Sequence, residues 1–547
     1  MRATTLIFAI LACSLFAREP EFHPGNYAIN LSKYSFIDTS LNVIQYPKGS
    51  KTFEPFFNKL DTLVFENRGQ VKILHIGGSH IQADVISGRI REHLIKEYPG
   101  ASAGRGFVFP YSAAKTNTPA SYGSYYKGIW DMSKNVLREV NKPLGLLGIA
   151  VSTSDPRAEI SILLDKYNTH PIWSETRLRL FGFCENGNMT PILHVDSIEV
   201  PGVLDTVSQS YLFTPPRPID SIRITFDWQD TIKRAEVLRF ITDSLYKDSV
   251  ERAKADSISK ELAKKEASKK EASKKDSKSK KDTSKKDTSK KVATIPEEVY
   301  IPADSMYQDS SAIDTTIYSQ NANFAVINDS TKAPAGPSRP KFTLTGILTE
   351  NDAPGIVYTS VGINGARVPN YFEDPCPFFE KELKYVKPDL VIFAIGINDA
   401  NVERFNDKGF RANYDTLITR ILKVNPNAAL IFETNNDSFR KIKKNKYVQH
   451  PNGELARKSF FMLAEKYGAG VWDKFSIMGG LGSMAKWEKA DLAKKDKVHF
   501  KLSGYNLLGD LFYKAFIRSY QEHIANLPAQ APVAPKPAPK KTEPTKK

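Results

Sequence analysis

Hydrophobic periodicity changes twice along this chain, and the changes divide it. Val71 to Ile76 is an unbroken apolar run of strand length; it meets Gly77-Gly78 and Ser79-His80, after which Ile86, Ile90 and Leu94 recur every four residues until Pro99-Gly100. A buried strand passing straight into a helix opens an α/β unit. From about 144 to 242 the texture becomes short β runs, AEISILL, TRLRLFGF, SIEV, SIRITFDW and EVLRFIT, separated by Asn-Gly and Pro-rich turns. Such spacing predicts a β-sandwich. KFTLTGILTEN resumes that texture near Lys341 as its last strand. The α/β pattern then returns with a strand at Leu390 to Ile395, a helix through Leu417, Ile418, Ile421 and Leu422, and a strand at Ala428 to Phe432. A helix around Glu454 to Tyr467, a short strand at Gly470 to Trp472 and a long helix from about Ser503 complete it.

The expected organisation is an α/β fold interrupted after its first helix. A signal peptide occupies 1–17, with Arg2 before an apolar run from Leu6 to Phe16 and small Ala17 at its end. Ile10-Leu11-Ala12-Cys13 loosely resembles a bacterial lipoprotein cleavage site, and the alternative it offers is a lipid anchor. Residues 18–65 read as an irregular lead-in, 66–110 as the first part of the α/β domain, and 111–243 as the inserted sandwich. Residues 244–338 read as a disordered insertion, 339–358 as the last sandwich strand, 359–526 as the second α/β part, and 527–547 as a Pro, Ala and Lys tail. No later apolar stretch approaches the roughly 18 residues of a membrane span.

Charge alters the picture only once it is located. The chain of 547 residues carries a formal charge of +16, which suggests nucleic acid, but residues 251–291 hold +8 and 528–547 hold +4. What folds is close to neutral, so no nucleic-acid partner is expected. The Lys-rich stretch repeats KKEAS at 264 and 269 and KKDTS at 280 and 285. A five-residue period fits neither helix nor strand, leaving a solvated spacer or a contact with acidic glycans or anionic surfaces. Cys184 and Cys376 are far apart and spaced unlike a zinc site, with one bridge between them open in an oxidising compartment.

Every chemically suggestive residue falls where a strand ends. Ser79 follows the first strand, Asn364-Gly365 follows IVYTSVGI, Asn398-Asp399 follows LVIFAI, and Asp496 and His499 precede the last helix. In an open parallel sheet those ends share one edge, where ligands bind. Singly, each has an ordinary reading: Ser79 and Asn398 as helix caps, Gly365 as a turn, His499 as a surface imidazole. Trp472 and Trp487 either line a sugar cleft or sit in the core.

Taken in order, the four blocks resemble the SGNH, or GDSL-type, serine hydrolases. The resemblance implies a flavodoxin-like three-layer α/β sheet with Ser79 as nucleophile and Asp496 and His499 completing a triad. It further implies an oxyanion hole from Ser79, Gly365 and Asn398, with no metal or organic cofactor. One residue departs from the family pattern: Gly78 stands where Asp usually precedes the nucleophile. HIGGSHIQAD, APGIVYTSVGINGA and VWDKFSIMGGLGSMAKW with DKVHFKLSGYNLLGD are similar to the branch containing bacterial peptidoglycan O-acetylesterases, in which a carbohydrate-binding-like β domain interrupts the hydrolase. That similarity implies an exported, periplasmic or extracellular esterase acting on an acetylated glycan through an acyl-enzyme. Two alternatives share the fold: an impaired glycan-binding or scaffold protein, and a polysaccharide O-acetyltransferase with the same triad.

Overall fold

The structure is a computed structural model that describes residues 31–97, 100–166, 173–276, 339–372, 375–443 and 446–527. The expected leader at 1–17, most of the Lys-rich insertion and the tail after Leu527 lie outside them. In chain order come β1 (Ile44–Gln45), α1 (Glu54–Glu66), β2 (Gln70–Gly77), α2 (Ser79–Gln82), α3 (Ile86–Lys96), β3 (Gly106–Val108), β4 (Gly123–Lys127), β5 (Asp131–Lys134), β6 (Ile149–Thr153) and β7 (Glu159–Leu163). Next are β8 (Arg177–Glu185), β9 (Met189–Val195), β10 (Ile198–Pro201), β11 (Val203–Asp205), β12 (Ser210–Phe213), β13 (Ser221–Trp228), α4 (Thr231–Asp276), β14 (Lys341–Glu350) and β15 (Gly355–Gly362). Then follow α5 (Phe379–Val386), β16 (Leu390–Ala394), α6 (Ile397–Ala400), α7 (Asp407–Val424), β17 (Ala429–Glu433), β18 (Phe439–Lys443) and β19 (Lys446–Gln449). The last are α8 (Asn452–Tyr467), β20 (Gly470–Trp472), α9 (Lys474–Ile477), α10 (Ser483–Lys489) and α11 (Leu502–Ala525).

One six-stranded sheet has the order β1-β20-β17-β16-β2-β15 and is parallel except at β1, which pairs antiparallel with β20. Without β1 this is the flavodoxin-like order, whose reversal lies between β2 and β16. Side chains alternate across β2. Val71 and Ile73 join Leu60, Ile90 and Leu511 from α1, α3 and α11, while Leu74 and Ile76 join Leu417 and Phe460 from α7 and α8. Each such side chain fully removed from water contributes about 1.5–3 kcal/mol. Three layers follow directly from that alternation.

The inserted unit is two facing antiparallel sheets, β10-β9-β13-β7-β4 and β11-β12-β8-β14-β6-β5, with β3 also paired to β14. Its core is continuous with one layer of the α/β part, since Ile160, Leu180 and Ile224 belong to the same apolar cluster as Leu74 and Phe393.

Several expectations are corrected. The lead-in is not irregular: Phe56, Phe57, Leu60 and Leu63 form the buried face of α1, and β1 is a sheet edge. EVLRFIT is helical, because Val237 and Ile241, four apart, are the residues that reach the core. That helix carries on to Asp276, across the expected start of disorder at 244. Gly355–Gly362 pairs with β2 in the parallel sheet, so the sandwich ends before 358, and Gly106–Val108 belongs to the sandwich although it precedes 111. The β18–β19 hairpin has no counterpart in the sequence reading. Trp472 and Trp487 are fully buried, with their indole N–H groups given to Asn42 Oδ1 and Met478 O, which removes them from any sugar cleft. Cys184 and Cys376 are both free thiols. No helix among the described residues is long and apolar enough to cross a membrane.

Candidate active site

Ser79 is the first residue of α2, immediately beyond the carboxyl end of β2. The short helix sits tightly against β15: a Cβ on Gly362 would lie 2.4 Å from the Gln82 N atom. At the other end of the chain, the loop before α11 is cinched by Lys494 N–H donating to His499 O at 2.8 Å and Lys501 N–H to Leu492 O at 2.9 Å. Phe500, buried beside it, anchors the turn. These two elements, 420 residues apart in sequence, meet through Ser79 Oγ and His499 Nε2 at 2.9 Å.

Asp496 completes the relay. Its Oδ2 lies 2.9 Å from His499 Nδ1, and its Oδ1 accepts the N–H groups of Val498 at 2.9 Å and His499 at 3.0 Å. Since a carboxylate can only accept, Nδ1 carries the ring hydrogen and Nε2 is left to accept from Ser79. Burial would raise the Asp496 carboxyl, but the hydrogen bond and charge of His499, helped by the two backbone N–H groups, hold it at about 2. It is therefore ionised at neutral pH.

Gly365 follows β15 with φ +83°, a conformation that only glycine adopts without strain, and a Cβ there would meet nothing within 4 Å. Its N–H has no acceptor among the described residues. Asn398 lies in α6, after β16, with Nδ2 donating to Ala366 O at 3.0 Å. The second amide hydrogen of Asn398 is left over. All four blocks thus converge at the sheet's reversal point. At Gly78 a Cβ would stand 3.5 Å from Asn398 Nδ2, in ordinary contact, so lack of space does not demand the glycine.

Residues 332–507 match the family described as GDSL-like Lipase/Acylhydrolase. The α/β part has the SGNH hydrolase fold. The matched span contains Gly365, Asn398, Asp496 and His499; Ser79 lies before it, separated by the sandwich. A solved structure entitled "Peptidoglycan O-acetylesterase in action, 5 min" has a TM-score of 0.56 at 15% identity, covering 88% of this chain and 99% of that one. Two others are far less alike overall. A putative GDSL-like lipase from Parabacteroides merdae ATCC 43184 gives a TM-score of 0.22 at 20% identity over 30% of this chain and 72% of that one. A family two carbohydrate esterase from Cellvibrio japonicus gives 0.23 at 8% identity over 74% and 99%. At these identities the first likeness is one of fold, and the other two add nothing to it. No curated protein sequence matches the chain.

Three further residues shape the SGNH site. Gln82, one turn after Ser79, accepts the Asn364 N–H at 2.6 Å and donates to Thr116 Oγ1 and Asn117 O, tying the Gly365 loop to the sandwich. His80 is buried, with Nδ1 2.7 Å from Tyr505 OH and its ring centroid 5.2 Å from that of His499. Burial first, then the neighbouring His499, pushes its imidazole well below the usual range, so it is neutral. Asp399 receives the Val368 N–H, and burial raises its carboxyl to about 6. Of these, Asp399 belongs to the Asn398-Asp399 block already marked in the sequence, and Gln82 is open to sequence reasoning through its one-turn spacing from Ser79. An open cavity of about 840 Å³ between Ser35–Ser40 and α8 touches none of the triad.

Proposed function

We propose that this protein is an exported serine esterase that removes O-acetyl groups from cell-wall or other extracellular polysaccharide. The unbroken relay from Ser79 through His499 to Asp496 carries the reading, and it favours an enzyme over an impaired scaffold. His499 Nε2 takes the Ser79 proton as Oγ bonds to the acetyl carbon. Asp496 stabilises the imidazolium, the N–H groups of Ser79 and Gly365 and the free Asn398 amide hydrogen receive the oxyanion, and each such donor contributes about 3 kcal/mol. The proton then passes to the departing sugar hydroxyl, leaving acetyl on Ser79. Water, deprotonated by His499, attacks that ester, releases acetate and restores the hydroxyl.

The test is acetate release from O-acetylated peptidoglycan, from acetylated plant polysaccharide and from p-nitrophenyl acetate. Ser79→Ala is expected to lower each measurable rate by about 10³-fold or more. Absence of release from all three by the unaltered protein would sink the esterase reading.

A further inference from the structure

Beside the catalytic loop, β18 and β19 form a two-stranded ribbon that carries Arg440, Lys441, Lys443 and Lys446 and no acidic residue between Phe439 and Gln449. Lys441, Lys443 and Lys446 are exposed, and none of the four has an ion-pair partner among the described residues. Register places Lys443 directly opposite Lys446. Like charges facing each other weaken a ribbon that is marginal on its own. Yet this ribbon is fastened: the Phe439 N–H donates to Lys497 O at 3.1 Å, and Lys497 Nζ lies 5.0 Å from the Phe439 ring centroid. Lys497 stands between Asp496 and His499, so the ribbon is rooted in the catalytic loop itself. That loop adds Lys494 and Lys495. The carboxylates close to it in sequence are already engaged, Asp496 by His499, Glu488 by Lys497 and Asp491 by Lys501.

An unneutralised basic surface rooted in the loop that carries His499 suits an anion on the substrate. We propose that the ribbon, with Lys494 and Lys495, docks a carboxylate-bearing strand of the acetylated polysaccharide and makes the enzyme selective for anionic glycans. This deepens the esterase reading and rests on it for the bond that is cut. Docking raises the local concentration of a polyanion at Ser79, while a neutral polymer of the same backbone gains nothing. Because the attraction is between exposed charges, salt weakens it.

Binding is measured by affinity electrophoresis on the Ser79→Ala protein, so turnover plays no part. The probes are O-acetylated polygalacturonate and its fully methyl-esterified form, which share backbone and acetyl groups but differ in charge. The charged polymer is expected to bind about tenfold or more tightly than the esterified one, and the preference to collapse in about 0.5 M salt. Lys441→Glu, Lys443→Glu and Lys446→Glu together abolish it, and the corresponding three Lys→Gln changes reduce it by less. These lysines are exposed, so the thermal midpoint stays in place; should the Glu set lower it, the Gln set decides. Equal binding of the two polymers, or a preference that survives both sets in folded protein, overturns the proposal. Failure of the unaltered protein to release acetate from either polysaccharide or from p-nitrophenyl acetate would instead strike the esterase reading alone and leave the binding result standing.

Discussion

Asp496 acts through geometry, because each of its oxygens is committed to the loop that holds His499. Asp496→Asn places an amide where Nδ1 needs an acceptor and favours the wrong tautomer. We expect kcat on p-nitrophenyl acetate to fall by about 10²–10⁴-fold at pH 7 with little change in KM. The same carboxyl affects stability at low pH. Its folded value, about 2, lies below its ordinary 3.8, so its contribution is complete above that ordinary value and vanishes as the pH falls toward 2. Urea unfolding of the Asn variant should lose that portion of the acid sensitivity. Ser79, Gly365 and Asn398 are legible in sequence because each follows an apolar run, and Asp496 and His499 because their three-residue spacing falls just before the last helical pattern. His80 is different: its burial depends on Tyr505, 425 residues away, and nothing local marks it.

At the scale of elements, the turn from α2 into α3 depends on Asp84, held at φ +50° and fully enclosed. It accepts hydrogen bonds from Arg91, Arg105, Ser87, Ser121 and Ser360, joining α3, the segment before β3, the approach to β4 and β15. Burial disfavours its charge, but Arg91 and Arg105 outweigh this and push the carboxyl well below the usual range. Asp84→Ala would strand two guanidinium groups in the interior, at a cost of about 3–5 kcal/mol in urea unfolding at pH 7. In sequence these charges look like solvated helix residues, since the partners come from four separate elements. EVLRFIT misleads for another reason: a short apolar cluster satisfies both periods, and only the packing of Val237 and Ile241 selects the helix. The β18–β19 ribbon is not legible in sequence because four of its nine strand residues are cationic and none is fully buried, so no alternation marks it.

Across the whole molecule, the sandwich and the SGNH domain are joined by buried polar contacts as well as by a shared apolar cluster. Glu382 of α5 accepts from Thr345 Oγ1 of β14 at 2.5 Å and from the Leu146 N–H at 2.7 Å. Burial, only partly offset by these bonds, raises its carboxyl to about 7. A carboxyl raised on folding contributes stability that is full below its ordinary 4.5 and is lost as the pH climbs through about 7. Glu382→Gln, which keeps an acceptor for Leu146 and a donor for Thr345, should therefore lose less stability between pH 5 and pH 8 than the unaltered protein does, by thermal unfolding. The sequence announces two units but not this seam, because Glu382 looks like an ordinary charged position on an amphipathic helix. The distance along the chain between Ser79 and His499 has a temporal meaning too. Closing so long a loop is entropically demanding and slow. During synthesis the nucleophile appears early, and its base arrives only after the sandwich and every strand of the six-stranded sheet have been made. Until then the serine is an ordinary alcohol, without the base that the proposed esterase chemistry requires.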